Sequence, residues 1–349
     1  MARKILFYTH AFGGGGAETV FARLAQHFAE RGDDVMFVAD YAGPLPVVSR
    51  PNLRHAQLGA GHAQAIRRLA KLLREEKPDA SFSALGAHNL KHLAAALLAG
   101  RHRHCVLGYH GFADAEPKRL SQISFWATAL TTRIAARTIC VSDALLADVR
   151  SRWRASPRRT MRIYNPVPEA SAPIVAKDDP PLILGCGRLV PGKRFPDLVA
   201  ALSRVKPATA RLVICGEGPE REAIRAAIAY HGLETRVTLA GHVAEMSPWY
   251  RRAACVAIAS ESESFGLTAA EALAHDVPIV ATNCGGLPEV LDNGRYGRIV
   301  PVGDVAAMAA ALTQTLSDDN VDQGRLARAA LFNIEIIHRA YADLTDSLA

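Results

Sequence analysis

The chain has 349 residues, 49% of them hydrophobic, which is enough apolar material for about two domains with separate cores. Its six cysteines show no C-x-x-C pair and lie mostly in apolar, strand-like runs, which argues against a disulfide framework. No stretch approaches the roughly 20 apolar residues of a membrane span, and ARKILFYTH directly after Met1 reads as a strand rather than a secretion signal, so a cytosolic protein is expected.

Charge is unevenly spread. Residues 1–170 carry 24 Lys and Arg against 13 Asp and Glu, the remainder 17 against 21, within a formal total of +7. A basic first half either meets an anionic partner, membrane lipid or nucleic acid, or reflects arginine used as an ordinary surface residue.

In chain order, Lys4 to His10 is a strand running into the glycine loop AFGGGGAE. A helix from about Ala17 to Arg31 and a strand from Val35 to Ala39, closing on Asp40, complete the opening of a doubly wound sheet. Asp40 stands where a dinucleotide site has its ribose-binding acid. The third glycine of G-x-G-x-x-G is missing, because Gly13, Gly15 and Glu18 fill the three places, so the fingerprint is weak. A short strand follows around Leu53 to Leu58. HAQAIRRLAKLLREEKPD then sets Ile66, Leu69, Ala70, Leu72 and Leu73 on one stripe beside Arg67, Arg68, Lys71 and Arg74, either a surface helix packed on the sheet or one lying on an anionic membrane. Asp79 to Ala84 and His104 to Tyr109 read as strands, with a helix from His88 to Gly100 between them. His88 and His92 lack the acid of H-E-x-x-H, and no metal site is expected there. A long helix, Arg119 to Ala136, a strand Thr138 to Val141, a helix capped by Ser142 or Asp143 and the strand in MRIYNPV end the first half. Trp153, among arginines, reads either as a headgroup-layer residue or as packed on the domain.

Proline and charge mark Pro166 to Pro181 as a linker. Beyond it the alternation restarts. Strand Leu182 to Cys186 leads into Gly187-Arg188-Leu189-Val190-Pro191-Gly192-Lys193-Arg194, strand Arg211 to Cys215 into Gly216-Glu217-Gly218-Pro219, and a short strand spans Val237 to Leu239. Strand Cys255 to Ala259 precedes SESESFGLTAAEALAHDVPIVATNCGGLPEVL. There a polar loop with Glu263 turns at Phe265-Gly266-Leu267 into a helix bearing Glu271, followed by a strand Val277 to Ala281 and the Gly285-Gly286 turn. Val305 to Leu316 and Gln323 to Leu348 read as helices.

The first turn of a helix has N–H groups without intrahelical acceptors and a partial positive charge, which suits a diphosphate. Glu263 and Glu271 then lie to either side of it, where carboxylates accept hydrogen bonds from sugar hydroxyls. Nucleotide-sugars have that shape. The E-x7-E pattern of Glu263 and Glu271 with VPIVATNCGGLPEVL resembles the donor-site signature of family-4 retaining glycosyltransferases of the GT-B fold. His275-Asp276 departs from the small residue and glycine usual there, and Asp tolerates the left-handed turn better than most residues.

The resemblance implies an α/β chain of two Rossmann-like doubly wound domains facing across a cleft. Residues 1–168 form an acceptor-binding domain, 169–330 a nucleotide-sugar-binding domain, and 331–349 a helix crossing back to the first. It implies transfer, with retention of configuration, from a UDP- or GDP-linked sugar to a glycan or lipid-linked acceptor, in polysaccharide or lipopolysaccharide synthesis. No cofactor, metal or nucleic acid is expected, and peripheral contact with the inner membrane face is. Arg188 and Lys193 hold the diphosphate, Glu263 the transferred sugar and Glu271 the ribose. Phe265, Gly266 and Leu267 offer backbone N–H groups, and Gly15, Gly16 and Gly187 line the donor. Glu18 faces the acceptor, and His110, at a strand's carboxyl end, positions the sugar. Gly216 and Glu217 either sit by the nucleobase or only form a strand-to-helix turn, and Glu289 is either a cap or a donor contact. Three other readings stay open: an NAD-dependent oxidoreductase resting on Gly13 to Asp40, a sugar-nucleotide epimerase, and a silent sugar-nucleotide-binding protein.

Overall fold

The computed structural model describes residues 2–43, 50–59, 61–115, 119–168, 177–318 and 324–348. Residues 169–176 of the expected linker, and Gln323 at the start of the expected last helix, lie outside them. The chain divides into two compact units, Met1–Pro166 with Ile334–Ala349, and Val167–Asn333.

In the first unit, β1 (Lys4–Ala11), β2 (Asp34–Tyr41), β3 (Leu53–Gln57), β4 (Ala80–Ala84), β5 (Cys105–Tyr109), β6 (Arg137–Cys140) and β7 (Thr160–Arg162) form one sheet. Its order is β3-β2-β1-β4-β5-β6-β7 and every pairing is parallel. The central strands are apolar almost throughout because helices cover both faces, as parallel sheets require. On one face Leu6, Tyr8, Leu69, Leu73, Leu93 and Leu107 share a core. The stripe of helix His62–Glu76 is part of it: Ala65, Leu69, Ala70 and Leu73 are buried, so that helix has no free apolar face. On the other face Phe7 stacks on Phe82 at 5.3 Å and meets Phe21 of helix Gly16–Glu30 edge-on at 5.1 Å. Tyr341 of the terminal helix Ile334–Asp346 joins them 5.2 Å from Phe82.

The second unit repeats the plan with β8 (Leu182–Cys186), β9 (Arg211–Cys215), β10 (Val237–Gly241), β11 (Cys255–Ile258), β12 (Ile279–Thr282) and β13 (Arg298–Val300). The order is β10-β9-β8-β11-β12-β13, again all parallel. Both sheets reverse their winding beside the first strand, between β1 and β4 and between β8 and β11. Ligands of doubly wound folds bind outside the carboxyl ends of the strands at that point. The expected pair of Rossmann-like sheets is therefore present.

Several boundaries differ from those read off the sequence. The helix expected from Arg119 to Ala136 is two, Arg119–Trp126 and Thr128–Ile134, separated at Ala127. The expected last helix is also two, Arg325–Ala330 and Ile334–Asp346, and Asn333 between them bridges to Val167. The strand expected from Val277 to Ala281 runs over Ile279–Thr282, and β13, which had no sequence signal, is a three-residue edge strand beside it. Asp276 takes the left-handed conformation (φ 53°) that the turn needs. All six cysteines are free, and no helix among the described residues is long and apolar enough to cross a membrane.

Asp40 is 2% exposed. Its carboxylate accepts from Tyr8 Oη at 2.7 Å, lies 3.1 Å from His88 Nε2 and pairs with the buried Lys91 ammonium. Burial alone would raise its pKa, but the bonds to His88, Lys91 and Tyr8 outweigh burial and hold it at about 2. Burial likewise keeps His92 and His110 neutral, with values lowered to about 3 and about 4. An unfolded histidine gains its proton near 6.5. Stability present above that pH is therefore lost as the pH falls toward 4, because the unfolded chain binds more protons. The Asp40 contribution is present above 3.8 and goes as the pH falls through about 2. Urea midpoints are expected to decline steadily between pH 6.5 and 4, and a flat profile over that interval would contradict buried neutral rings.

Candidate donor site in the second unit

Two loops at the second unit's switch point carry the residues singled out from the sequence. The loop after β8 leaves Cys186 through Gly187 and makes a short turn at Pro191–Lys193 before helix Phe195–Leu202. Arg188 is exposed, with no hydrogen bond or ion pair from its side chain among the described residues. Lys193 folds back along Gly187, where an added Cβ would stand 3.6 Å from Lys193 Cε. That brings Nζ to 2.5 Å from Glu263 Oε1, on the loop after β11.

Glu263 is fixed from three directions. Oε1 also accepts from Ser260 Oγ at 2.8 Å, and the Glu263 carbonyl accepts the Gly286 N–H at 2.8 Å. Thr282 Oγ1 and Cys284 Sγ donate to the Ser260 carbonyl at 2.5 and 3.2 Å, which anchors the start of the loop to the end of β12. Oε2 of Glu263 has no partner among the described residues, and a carboxylate oxygen in that state is an acceptor for hydroxyl donors.

Phe265 is buried against Phe332 at 5.3 Å, and Gly266 caps helix Leu267–Ala274 with φ 99° and no side-chain cap. The first-turn N–H groups that every helix leaves without intrahelical acceptors therefore have no capping side chain here. Further along this helix, Glu271 Oε2 accepts from Tyr250 Oη at 3.0 Å. Tyr250 is buried and stacks on His275 at 4.9 Å. Glu263 and Glu271 thus lie on either side of the helix start, held by Ser260 and Tyr250 respectively. Ser260 lies within the motif; Tyr250, 21 positions before Glu271, has no local signal.

Glycines let the backbones in this region touch. A Cβ on Gly216 (φ 149°) would lie 1.8 Å from the Gly187 carbonyl oxygen, and one on Gly286 would lie 2.8 Å from the Ser264 carbonyl oxygen. Glu217 turns its exposed carboxylate to Arg221 at 3.1 Å, while its carbonyl accepts the Leu189 N–H at 2.9 Å. The Gly216-Glu217 turn is therefore stitched to the loop after β8. Glu289 lies in the short helix Leu287–Val290, and its carbonyl accepts from Arg328.

The remaining expected residues belong to the first unit. Gly15 is the N-cap of helix Gly16–Glu30, and Glu18 in its first turn is buried, folding its carboxylate over Gly15, where a Cβ would be 2.4 Å from Oε2. His110 follows β5 with its ring edge-on to Phe21 at 5.6 Å.

Comparison with known proteins places the chain in a family. The model for Glycosyltransferase Family 4 matches residues 14–171, and that for Glycosyl transferases group 1 matches residues 180–318. A Bacillus anthracis N-acetyl-alpha-D-glucosaminyl L-malate synthase is 33% identical over 143 residues, 40% of this chain and 38% of that protein. The lipopolysaccharide core biosynthesis glycosyltransferase LpsE of Rhizobium meliloti is 27% identical over 174 residues, 48% of this chain and 51% of its own length. The matches thus span about two fifths to a half of these curated relatives. Among solved structures, Anabaena HepE in complex with UDP and glucose superposes with a TM-score of 0.85 at 20% identity, covering 99% of this chain and 100% of that one, which shows a shared GT-B fold. With residues 14–171 and 180–318 matched by these two models, the chain belongs to the family-4 glycosyltransferases of the group 1 type.

Proposed function

We propose that the chain is a retaining, metal-independent glycosyltransferase. It moves a sugar from a UDP- or GDP-linked donor to a glycan or lipid-linked acceptor, in the cytoplasm, during cell-surface polysaccharide or lipopolysaccharide synthesis. The observation carrying this reading is the Lys193–Glu263 pair beside the uncapped start of helix Leu267–Ala274, with Arg188 on the same loop as Lys193.

Breaking a sugar–diphosphate bond builds negative charge on the leaving oxygen. Arg188, Lys193 and the N–H groups of Phe265, Gly266 and Leu267 stabilise that charge, the work a divalent metal does in other sites. On donor binding Lys193 turns from Glu263 to the diphosphate, and Glu263 accepts hydroxyls of the transferred sugar. Glu271, steadied by Tyr250, binds the ribose. The acceptor hydroxyl attacks the face that the diphosphate leaves, and a diphosphate oxygen takes its proton, so no protein nucleophile is needed. His110, neutral because burial lowers it to about 4, positions the sugar without adding charge, and Gly15, Gly16, Gly187 and Glu18 keep the donor and acceptor roles that the resemblance gives them. The oxidoreductase reading loses its ribose acid, because Asp40 is already bonded to Tyr8, His88 and Lys91.

Membrane contact, as part of the same proposal, moves away from helix His62–Glu76, whose apolar face is in the core. Ile123, Trp126 and Leu130 are 53%, 78% and 63% exposed, the first two three positions apart on helix Arg119–Trp126 and the third on the helix that follows it. Trp153 meets Trp126 edge-on at 5.6 Å, with the exposed Arg133 and Arg154 nearby in the chain, while Arg152 beside the Trp153 ring is paired with Asp114. Interfacial tryptophan beside arginine matches an anionic headgroup layer.

A panel of UDP-, GDP- and dTDP-sugars scored for binding and transfer with EDTA present tests the chemistry. Activity abolished by chelation would sink the metal-free mechanism, and turnover without acceptor would favour an epimerase. Arg188→Ala and Lys193→Ala are each expected to lower kcat roughly 100-fold, the scale of losing one preorganised donor, while nucleotide binding falls less. Gly216→Ala is expected to destabilise the second unit by about 1–3 kcal/mol through overpacking, read as a lower urea midpoint. Trp126→Ala combined with Leu130→Ser should reduce co-sedimentation with phosphatidylglycerol vesicles severalfold, and unchanged recovery would remove the membrane assignment.

A further inference from the structure

Helix Gly16–Glu30 and the terminal helix Ile334–Asp346 meet at two imidazoles and a carboxylate. We propose that His27, Glu335 and His338 form a zinc site that fastens the terminal helix to the first unit. Each residue offers one donor atom, and the three atoms lie within 4.8 Å of one another. His27 Nε2 stands 3.4 Å from Glu335 Oε1 without hydrogen-bond geometry, and the two rings are 4.7 Å apart at 73°. His338 is 8% exposed. The Nε2 atoms of both histidines are buried and have no hydrogen-bond partner among the described residues.

Buried imidazole nitrogens left unbonded cost free energy, and one cation placed between them would satisfy both. Two imidazoles with one carboxylate is a zinc donor set that leaves a fourth position to water. Calcium and magnesium select oxygen ligands and fit it poorly. Tetrahedral Zn–N bonds of about 2.0–2.1 Å put donors roughly 3.4 Å apart, a contraction that side-chain rotation supplies. Glu335 and His338 are three positions apart and so share one helix side. His27 lies roughly 16 Å along its helix from Gly16, away from the glycine loop. A second trio, His10, Asp40 and His88, is equally close, but the Asp40 carboxylate already carries the Lys91 ammonium.

The terminal helix also buries Ile337, Tyr341, Ala342 and Leu344, sets His338 against Phe28 at 4.2 Å and Tyr341 against Phe82, and pairs Asp346 with Arg3 at 2.7 Å. The chain enters this helix at Ile334 directly from the second unit, so a metal here secures the return segment.

The test is calorimetric titration of the untagged, EDTA-stripped and desalted full chain with Zn²⁺, together with melting curves and the visible spectrum of the Co²⁺ form. One saturable Zn²⁺ per chain, a raised Tm and a tetrahedral cobalt band are expected. His27→Ala and His338→Ala should abolish all three, while His10→Ala leaves them intact. Glu335→Gln, at a half-exposed position that tolerates the change, should weaken zinc by about tenfold or more, the scale seen even for outer-sphere partners. Absence of saturable binding to the native chain overturns the proposal, and so does binding that survives both histidine substitutions.

Discussion

A lysine and a glutamate 70 positions apart join the two loops on which the second unit's site depends. Lys193 and Glu263 are 24% and 15% exposed, so each is partly stripped of water. At an exposed position such a pair contributes little. Here partial burial makes each partner depend on the other, and removing one leaves an uncompensated charge. The pair has a second property that matters for chemistry. Ser260 holds the same Glu263 oxygen, Oε1, as Lys193 does, so the carboxylate has a second partner besides the lysine.

Around that pair the backbone leaves almost no room for side chains. Gly216 approaches the Gly187 carbonyl, Gly286 approaches Ser264, and Gly266 takes a left-handed conformation where the helix begins. Loops after four different strands are thereby packed main chain against main chain. The N–H groups at the start of helix Leu267–Ala274 owe their fixed direction to this packing, and fixed dipoles are what make electrostatic stabilisation effective.

The first unit solves a different problem. Asp40, Lys91, Tyr8 and His88 are polar groups held inside an apolar sheet-and-helix sandwich. They are stable because they bond to one another, and a network of this kind is costly if any member is left unpaired. Its presence at the carboxyl ends of β1 and β2 occupies the carboxylate that the linear sequence offers to a ligand. The terminal helix docks on the opposite, aromatic face through Tyr341 and His338.

The sequence by itself determined the alternation of strands and helices, the two-sheet plan and the residues of the donor signature. These are written in local patterns: apolar runs of strand length, glycines where the chain turns sharply, and two acids eight positions apart across a helix start. Even the left-handed turn at Asp276 could be anticipated, because the conformation depends on one residue's own sterics. Only the tertiary structure decided which charges face each other. The Lys193–Glu263 and Tyr250–Glu271 pairs, the capture of Asp40 by Lys91, and the meeting of His27 with His338 all join residues far apart in the chain. The breaks at Ala127 and near Asn333, and the short edge strand β13, belong to the same class. Long-range packing outweighs local propensity at those points, and no window of neighbouring residues records it.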